Sequence, residues 1–159
     1  EKKMINHENK ARELFKSGYN CAQSVLGAYA EELGLDIDTA LKLASSFGGG
    51  MGRLREVCGA VSGMFMAVGL AKGYKSNNNR EEKKEHYERI QYLAKEFEKM
   101  NGSIVCRELL GLDHKKDDPT PAERTKEYYK KRPCEEMVAD ACKILDKYLE
   151  STNKKEILT

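Results

Sequence analysis

The stretch Cys134–Glu150, CEEMVADACKILDKYLE, gives the clearest indication of the fold. Its apolar residues recur every three or four positions and fall on one stripe of a helix. These residues are Cys134, Met137, Val138, Ala141, Cys142, Leu145 and Leu149. No window of the chain shows the sustained alternation of apolar and polar residues that is typical of a half-buried strand. The sequence therefore predicts an all-α fold.

A second apolar stripe predicts a central helix over Leu54–Lys72. The stripe consists of Leu54, Val57, Cys58, Val61, Met64, Phe65 and Val68. Further helices are predicted at Ile5–Lys16, Cys21–Leu33, Asp38–Phe47, Glu81–Met100 and Ile104–Leu110, with a weaker one at Ala122–Lys131. A chain of 159 residues is long enough for one domain with its own core. We expect residues 1–159 to form a single-domain bundle of about seven or eight helices.

The charge balance and hydropathy argue against two classes of partner. The 28 basic and 26 acidic residues leave a net charge of only +2, which favours neither nucleic acid nor an anionic membrane. The longest apolar stretch, Ala60–Ala71, is shorter than the about 20 residues that a membrane-spanning helix needs. No signal-peptide pattern opens the sequence. We expect a cytoplasmic protein with no membrane span and no nucleic-acid partner.

Four of the five cysteines lie at or just inside a predicted helix start: Cys21, Cys58, Cys106 and Cys134. Residues that favour helix starts precede three of them, namely Asn20, Ser103 and Pro133. Free backbone N–H groups in a first turn favour thiolate over thiol. If the helices alternate in direction, these starts share one end of the bundle. Cys142 is predicted to be a core residue in mid-helix.

The chemistry of these four cysteines has three alternatives. In a reducing cytoplasm, cysteines serve as redox groups or metal ligands more often than as permanent disulfides. Reversible dithiol–disulfide exchange needs no cofactor, and we expect Cys58 to attack and Cys21, Cys106 or Cys134 to resolve. Zinc, copper(I) or an iron–sulfur cluster is the second alternative, although the chain has no closely spaced cysteine pair. The third is a helical ligand-binding or adaptor protein whose cysteines only pack.

Glycine-rich segments border two of these cysteines. The run Phe47–Arg53, FGGGMGR, is a candidate cofactor-binding loop, because glycine permits sharp turns and close approach to the backbone. Its candidate residues are Gly48, Gly49, Gly50, Gly52 and Arg53. It lacks the Lys-Ser/Thr ending of a phosphate-binding loop. Arg53 and Arg55 are expected to be solvated, and the alternative is that they bind thiolates or an anionic substrate.

Gly59 and Gly63 lie one turn apart on the predicted central helix. Glycine inside a helix costs about 1 kcal/mol relative to alanine, so two of them indicate a need for space. Close helix packing would explain both residues. Backbone access for a cofactor bound at Cys58 is the alternative, and the two explanations are compatible.

The chain resembles the C_GCAxxG_C_C family of redox-active proteins. The resemblance rests on Gly18–Gln23, Phe47–Arg53, Cys58-Gly59-Ala60-x-x-Gly63, Cys106–Leu109 and Cys134. It implies a redox role for Cys21, Cys58, Cys106 and Cys134 and leaves Cys142 outside the pattern. It also implies a functional link to a transporter, because gene neighbourhoods of the family contain transporters. A redox partner or a small molecule is expected as partner, but the resemblance names neither.

Overall fold

The computed structural model describes residues 6–158, with side chains described up to residue 153. These residues form eight helices, not counting the short turn Gly48–Met51, in which Gly49 and Gly50 have left-handed backbone angles. They are α1 His7–Lys16, α2 Cys21–Tyr29, α3 Ile37–Ala44, α4 Gly59–Lys72, α5 Arg80–Asn101, α6 Cys106–Leu109, α7 Lys126–Lys131 and α8 Cys134–Leu158. No strand occurs in this part of the chain. The predicted all-α fold is therefore confirmed. None of the helices described is both long enough and apolar enough to cross a membrane.

Helix α2 lies at the centre, packed most extensively against α4 and α1. Its small and apolar residues are buried on nearly every side, and Ala22 and Val25 are inaccessible to solvent. A Cβ atom at Gly63 of α4 would lie 2.8 Å from the carbonyl oxygen of Ala22 and 2.9 Å from Cβ of Val25. Gly63 is thus required for the close crossing of α4 and α2.

Helix α8 closes the core against α1, α4, α5 and α2. Its predicted apolar stripe is buried from Met137 to Leu145, and Cys142 is inaccessible to solvent, as expected for a core residue. The hydroxyl of Tyr29 donates to the carbonyl oxygen of Cys142 at 3.1 Å and to the Asp146 carboxylate at 2.8 Å. This contact satisfies the one polar group that Tyr29 brings into the core.

The predicted helix Leu54–Lys72 is wrong over its first turn. The helix begins at Gly59, with Cys58 as its N-cap residue, and Leu54 is exposed rather than buried. The chain before it cannot continue a helix, because Arg53 and Arg55 have φ angles of 67° and 60°. Val57 forms an isolated antiparallel bridge with Val105 instead.

The remaining boundaries differ by a few residues from the predicted ones. Helix α2 ends at Tyr29, and residues 30–34 form a turn that closes at Gly34 with a φ of 83°. Helix α3 ends at Ala44 and passes into a 3-10 turn, Ser45–Phe47. Helix α7 begins at Lys126, where Thr125 caps it. The predicted start of the first helix, Ile5, lies outside the described residues.

Candidate functional site

A pocket of about 460 Å³ lies where the starts of α2, α4, α6 and α8 meet. All four cysteines singled out by sequence line this pocket, and Cys142 does not. We call it the cysteine pocket. Cys21 and Cys134 are half-buried and are called the outer pair, whereas Cys58 and Cys106, 5% and 8% exposed, are called the inner pair. All are free thiols.

Helix capping fixes the outer pair. Asn20 accepts a hydrogen bond from the backbone N–H of Gln23, and the Gln23 side chain accepts one from the N–H of Asn20. This capping box makes Cys21 the first residue of α2. Cys134 is the first residue of α8, after Pro133. Both thiols therefore stand at helix starts, as predicted, and each one shifts the pKa of the other.

The two outer thiols hold their protons unequally. Hydrogen bonding to the Cys21 thiol lowers the pKa of Cys134 to about 7, against the opposing effect of burial. The positive charges of Arg132, Arg124 and Arg55 lower that pKa further. The same hydrogen bond, together with burial, raises the pKa of Cys21 well above its ordinary value. The pair therefore loses one proton near neutral pH, and the thiolate that forms is Cys134.

The backbone holds the inner pair together. Val57 and Val105 form an isolated antiparallel bridge, and beside it the N–H of Cys58 donates to the carbonyl oxygen of Ile104 at 2.8 Å. Cys58 and Cys106 each follow a bridge residue, and both line the pocket. The predicted cap of α6 is wrong, because Val105 rather than Ser103 is its N-cap residue.

The inner thiols are weak acids. Burial raises the pKa of Cys58 to about 12, although the backbone N–H groups of Ala60 and Val61 oppose this effect. Burial also raises the pKa of Cys106, against the opposing effect of Arg55. The expected attack by Cys58 is therefore not supported, because desolvation of a buried thiolate outweighs the benefit of the helix start.

The glycine loop, Phe47–Arg53, forms a wall of the pocket. Gly50 has a φ of 68°, and a Cβ atom there would lie 2.6 Å from Cβ of Cys106. A Cβ atom at Gly48 would lie 2.4 Å from the side chain of Asn20, which caps α2. These two glycines are required by close packing around the cysteines.

The other candidate glycines divide between pocket and core. Gly49 and Gly52 have φ angles of 65° and 63° and line the pocket with the rest of the loop. Gly59 also lines it, where a Cβ atom would lie 3.1 Å from Cβ of Cys21. Gly63 does not reach the pocket and serves helix packing alone. Cofactor binding by the glycines that line the pocket stays a prediction.

Arg55 is buried, contrary to the expectation that it is solvated. Its Nε donates to the Asp117 carboxylate at 2.7 Å, and its Nη1 lies 3.6 Å from Sγ of Cys106. Arg53 is half-buried and donates from Nε to the carbonyl oxygen of Asp118 at 2.6 Å. Arg55 thus lies beside a thiol, and the alternative that it binds a thiolate or an anionic substrate stays a prediction.

The proline segment, Gly111–Pro133, holds all three prolines and lies against the pocket. Arg124 fastens it to the end of α1 by donating to the carbonyl oxygens of Phe15 at 2.7 Å and Tyr19 at 2.8 Å. Its guanidinium carbon also lies 4.3 Å from the centroid of the Phe15 ring. Carbonyls at a helix C-terminus favour a cation, which explains this placement.

Arg132 is the second positively charged residue that the proline segment contributes to the pocket lining. It lines the pocket two positions before Cys134, with its guanidinium carbon 5.6 Å from the centroid of the Tyr128 ring. Sequence reasoning missed Arg124 and Arg132. Their only signal was membership of a long, charged connection, which is typical of binding loops but does not indicate which residues bind.

Metal binding by the four cysteines stays a prediction. Zinc and iron–sulfur clusters need several thiolates or imidazoles around one point. Across residues 6–153, no group of three or more Cys, His, Asp or Glu side chains is placed to hold a metal ion. The four cysteines predicted as alternative metal ligands are divided instead into an outer and an inner pair.

Comparison with known proteins supports a redox family. The chain matches no curated protein and no solved structure. Residues 19–148 match a family described as "Putative redox-active protein (C_GCAxxG_C_C)". This range begins two residues before Cys21 and includes the whole cysteine pocket apart from Phe15. Since the match covers most of the chain, the protein belongs to the C_GCAxxG_C_C family.

Proposed function

We propose that this protein carries out reversible thiol–disulfide exchange, with Cys134 as the attacking thiolate and Cys21 as the resolving thiol. The outer pair supports the proposal best, because its two half-buried thiols stand at helix starts in one pocket and each changes the acidity of the other. The attacking species in exchange is the thiolate, and the most effective thiol has a pKa near the ambient pH. The pKa of Cys134, about 7, meets this condition, whereas that of Cys58, about 12, does not.

The first step is attack by the Cys134 thiolate on one sulfur of a disulfide. Sγ of Cys134 forms a mixed disulfide, and the other sulfur leaves as a thiolate. Cys21 then loses its proton to the leaving thiolate or to solvent and attacks Sγ of Cys134. The second thiolate leaves, and a Cys21–Cys134 disulfide forms.

The electrons balance over these two steps. The substrate disulfide gains two electrons and becomes two thiols, while the protein dithiol loses two and becomes a disulfide. A small-molecule or protein dithiol of lower potential returns the pair to the reduced state by the same chemistry. The direction of net flow depends on the potentials of the two partners.

The inner pair keeps its protons during this cycle, because burial raises the pKa of Cys58 and of Cys106. These thiols line the pocket beside the reacting sulfurs without ionising near neutral pH. A mild oxidant should therefore remove two thiols per chain. The inner pair and Cys142 should remain free.

The test is to count free thiols in anaerobically purified protein before and after mild oxidation and to map the resulting disulfide by peptide mass. We expect the loss of two thiols, a Cys21–Cys134 linkage and full recovery with a dithiol reductant. Cys142→Ala is the matched control, because it removes a buried thiol outside the pocket and should leave the loss unchanged.

Two outcomes would contradict the proposal. If all five thiols resist oxidation, the cysteines serve packing. If the anaerobic protein contains stoichiometric metal that protects the outer pair, the metal-binding alternative is correct.

A further inference from the structure

The lining of the cysteine pocket carries excess positive charge. Four arginines contribute to it, namely Arg53, Arg55, Arg124 and Arg132. No aspartate or glutamate lines the pocket within the described part of the chain. Asp117, outside the lining, accepts from Arg55 at 2.7 Å and lies 3.8 Å from Arg53. One carboxylate thus compensates two of the four guanidinium groups.

No described carboxylate offsets the positive charge of Arg124 or Arg132. Arg124 donates only to carbonyl oxygens, which carry no net charge, and stacks on the Phe15 ring. Arg132 lies against the ring of Tyr128. Neither has a carboxylate partner among the described residues. A single thiolate, Cys134, shares the pocket with them, so positive charge remains for a ligand.

We infer that the substrate of the outer pair is a small disulfide whose flanking groups carry carboxylates. This inference rests on the proposed thiol–disulfide exchange and adds the chemical class of its substrate. Guanidinium groups bind carboxylates through two parallel hydrogen bonds, which fix orientation as well as charge. A disulfide sulfur at Cys134 brings its substituents towards Arg132, two positions away in the chain, and towards Arg124 in the same lining.

The size and polarity of the pocket fit such a molecule. Its volume of about 460 Å³ lies within the range of about 300 to 1,000 Å³ that is typical of small-molecule sites. Phe15, Leu109 and Met137 offer apolar surface for a carbon skeleton. The outer pair is more exposed than the inner pair, so the ligand disulfide reaches Cys134 before it meets Cys58.

The test compares two small aromatic disulfides that differ in charge. Dithiobis(nitrobenzoate) carries a carboxylate on each ring, and dithiodipyridine carries none at neutral pH. Both react with a thiolate by the exchange described above and release a coloured leaving group. The second-order rate constants of both probes are measured for wild type, Arg132→Gln, Arg132→Lys and Lys131→Gln. Lys131 is the matched control, because it is the exposed neighbour and pairs with Glu127.

The decisive quantity is the ratio of the two rate constants, since any change in thiolate fraction affects both probes equally. We expect Arg132→Gln to lower the carboxylate-to-neutral ratio by about tenfold, which corresponds to one lost charge contact in a partly shielded site. Arg132→Lys should restore most of the ratio, and Lys131→Gln should leave it at the wild-type value. Added salt should slow only the carboxylate probe.

Other outcomes separate this inference from the function on which it rests. An equal ratio in wild type, Arg132→Gln and Lys131→Gln would overturn the substrate class, while rapid reaction of Cys134 with the neutral probe would leave thiol–disulfide exchange intact. If Cys134 reacts with neither probe faster than Cys142 does, the proposed function itself fails.

Discussion

The outer and inner cysteine pairs line the same pocket and stand at helix starts, but their acidities differ widely. The pKa of Cys134 lies at about 7, whereas that of Cys58 lies at about 12. Backbone N–H groups lower the pKa of Cys58, and positive charges lower the pKa of Cys134. The difference arises because the Cys21 thiol and several arginines stabilise the thiolate of Cys134, while Cys58 is almost fully buried. A helix start alone therefore does not produce a thiolate.

The largest expected effect is the loss of stability from a substitution in the glycine loop, which packs against the inner pair. Gly50→Ala should lower the free energy of unfolding by about 3 kcal/mol, from left-handed strain plus overlap with Cβ of Cys106. Gly111→Ala is the matched control, because Gly111 has a φ of 65° but no neighbour within 4 Å, and it should cost only about 1 kcal/mol. Urea unfolding measures both. Equal costs would show that the loop does not press on Cys106.

The acidity of the outer pair should appear in the pH dependence of stability. The pKa of Cys134 is lower in the folded protein, about 7, than its ordinary value of 9.0, so the unfolded chain binds more protons between these values. The stability that the lowered pKa of Cys134 contributes is complete above the ordinary pKa and is lost as the pH falls through about 7. From pH 7 to pH 9, the free energy of unfolding of wild type should rise by about 2 kcal/mol relative to that of Cys134→Ala, as measured by urea unfolding. Parallel stability curves would contradict this assignment.

Reactivity with a neutral disulfide should distinguish the two pairs directly. At about pH 6, Cys134→Ala should slow the reaction with dithiodipyridine by about tenfold or more, because burial still raises the pKa of the remaining outer thiol, Cys21. Cys58→Ala is the matched variant from the inner pair and should change the rate by less than about twofold. Stopped-flow absorbance measures both variants. A larger effect from Cys58→Ala would reverse the assignment of the attacking thiolate.

The smallest expected effect concerns the arginine beside the inner pair. Arg55 opposes the rise in the pKa of Cys106, so Arg55→Gln should raise that pKa further and shift the pKa of Cys134 less. The pH dependence of alkylation at each cysteine, followed by mass spectrometry, measures both shifts. Arg107→Gln removes a nearby guanidinium that pairs with Glu56 at 3.0 Å, and it should change neither pKa. A larger shift at Cys134 than at Cys106 would contradict the assigned contact.

The sequence predicted the features that depend on local pattern. The apolar period of residues 134–150 correctly predicted α8 and the burial of Cys142. The capping preference of Asn20 correctly predicted that Cys21 begins a helix. Alternating helix directions predicted that the four helix starts share one end, and all four cysteines line one pocket. Each of these inferences needs only neighbouring residues or simple topology.

The sequence could not predict features that depend on distant contacts. The apolar stripe from Leu54 onwards suggested a helix, but left-handed backbone angles at Arg53 and Arg55 and the bridge at Val57 exclude one. The order of acidities was also missed. It depends on the contact between Cys21 and Cys134 and on burial, which no spacing in the chain encodes.

The central claim is that Cys134 is the thiolate of this pocket, and pH-resolved alkylation of all five cysteines tests it most directly. The pH of half-maximal alkylation rate at each cysteine, read by mass spectrometry, reports its acidity independently of its accessibility. We predict that Cys134 has the lowest midpoint, at about pH 7, while Cys58, Cys106 and Cys142 remain protonated there. A lower midpoint at Cys58 or Cys106 than at Cys134 would contradict the account.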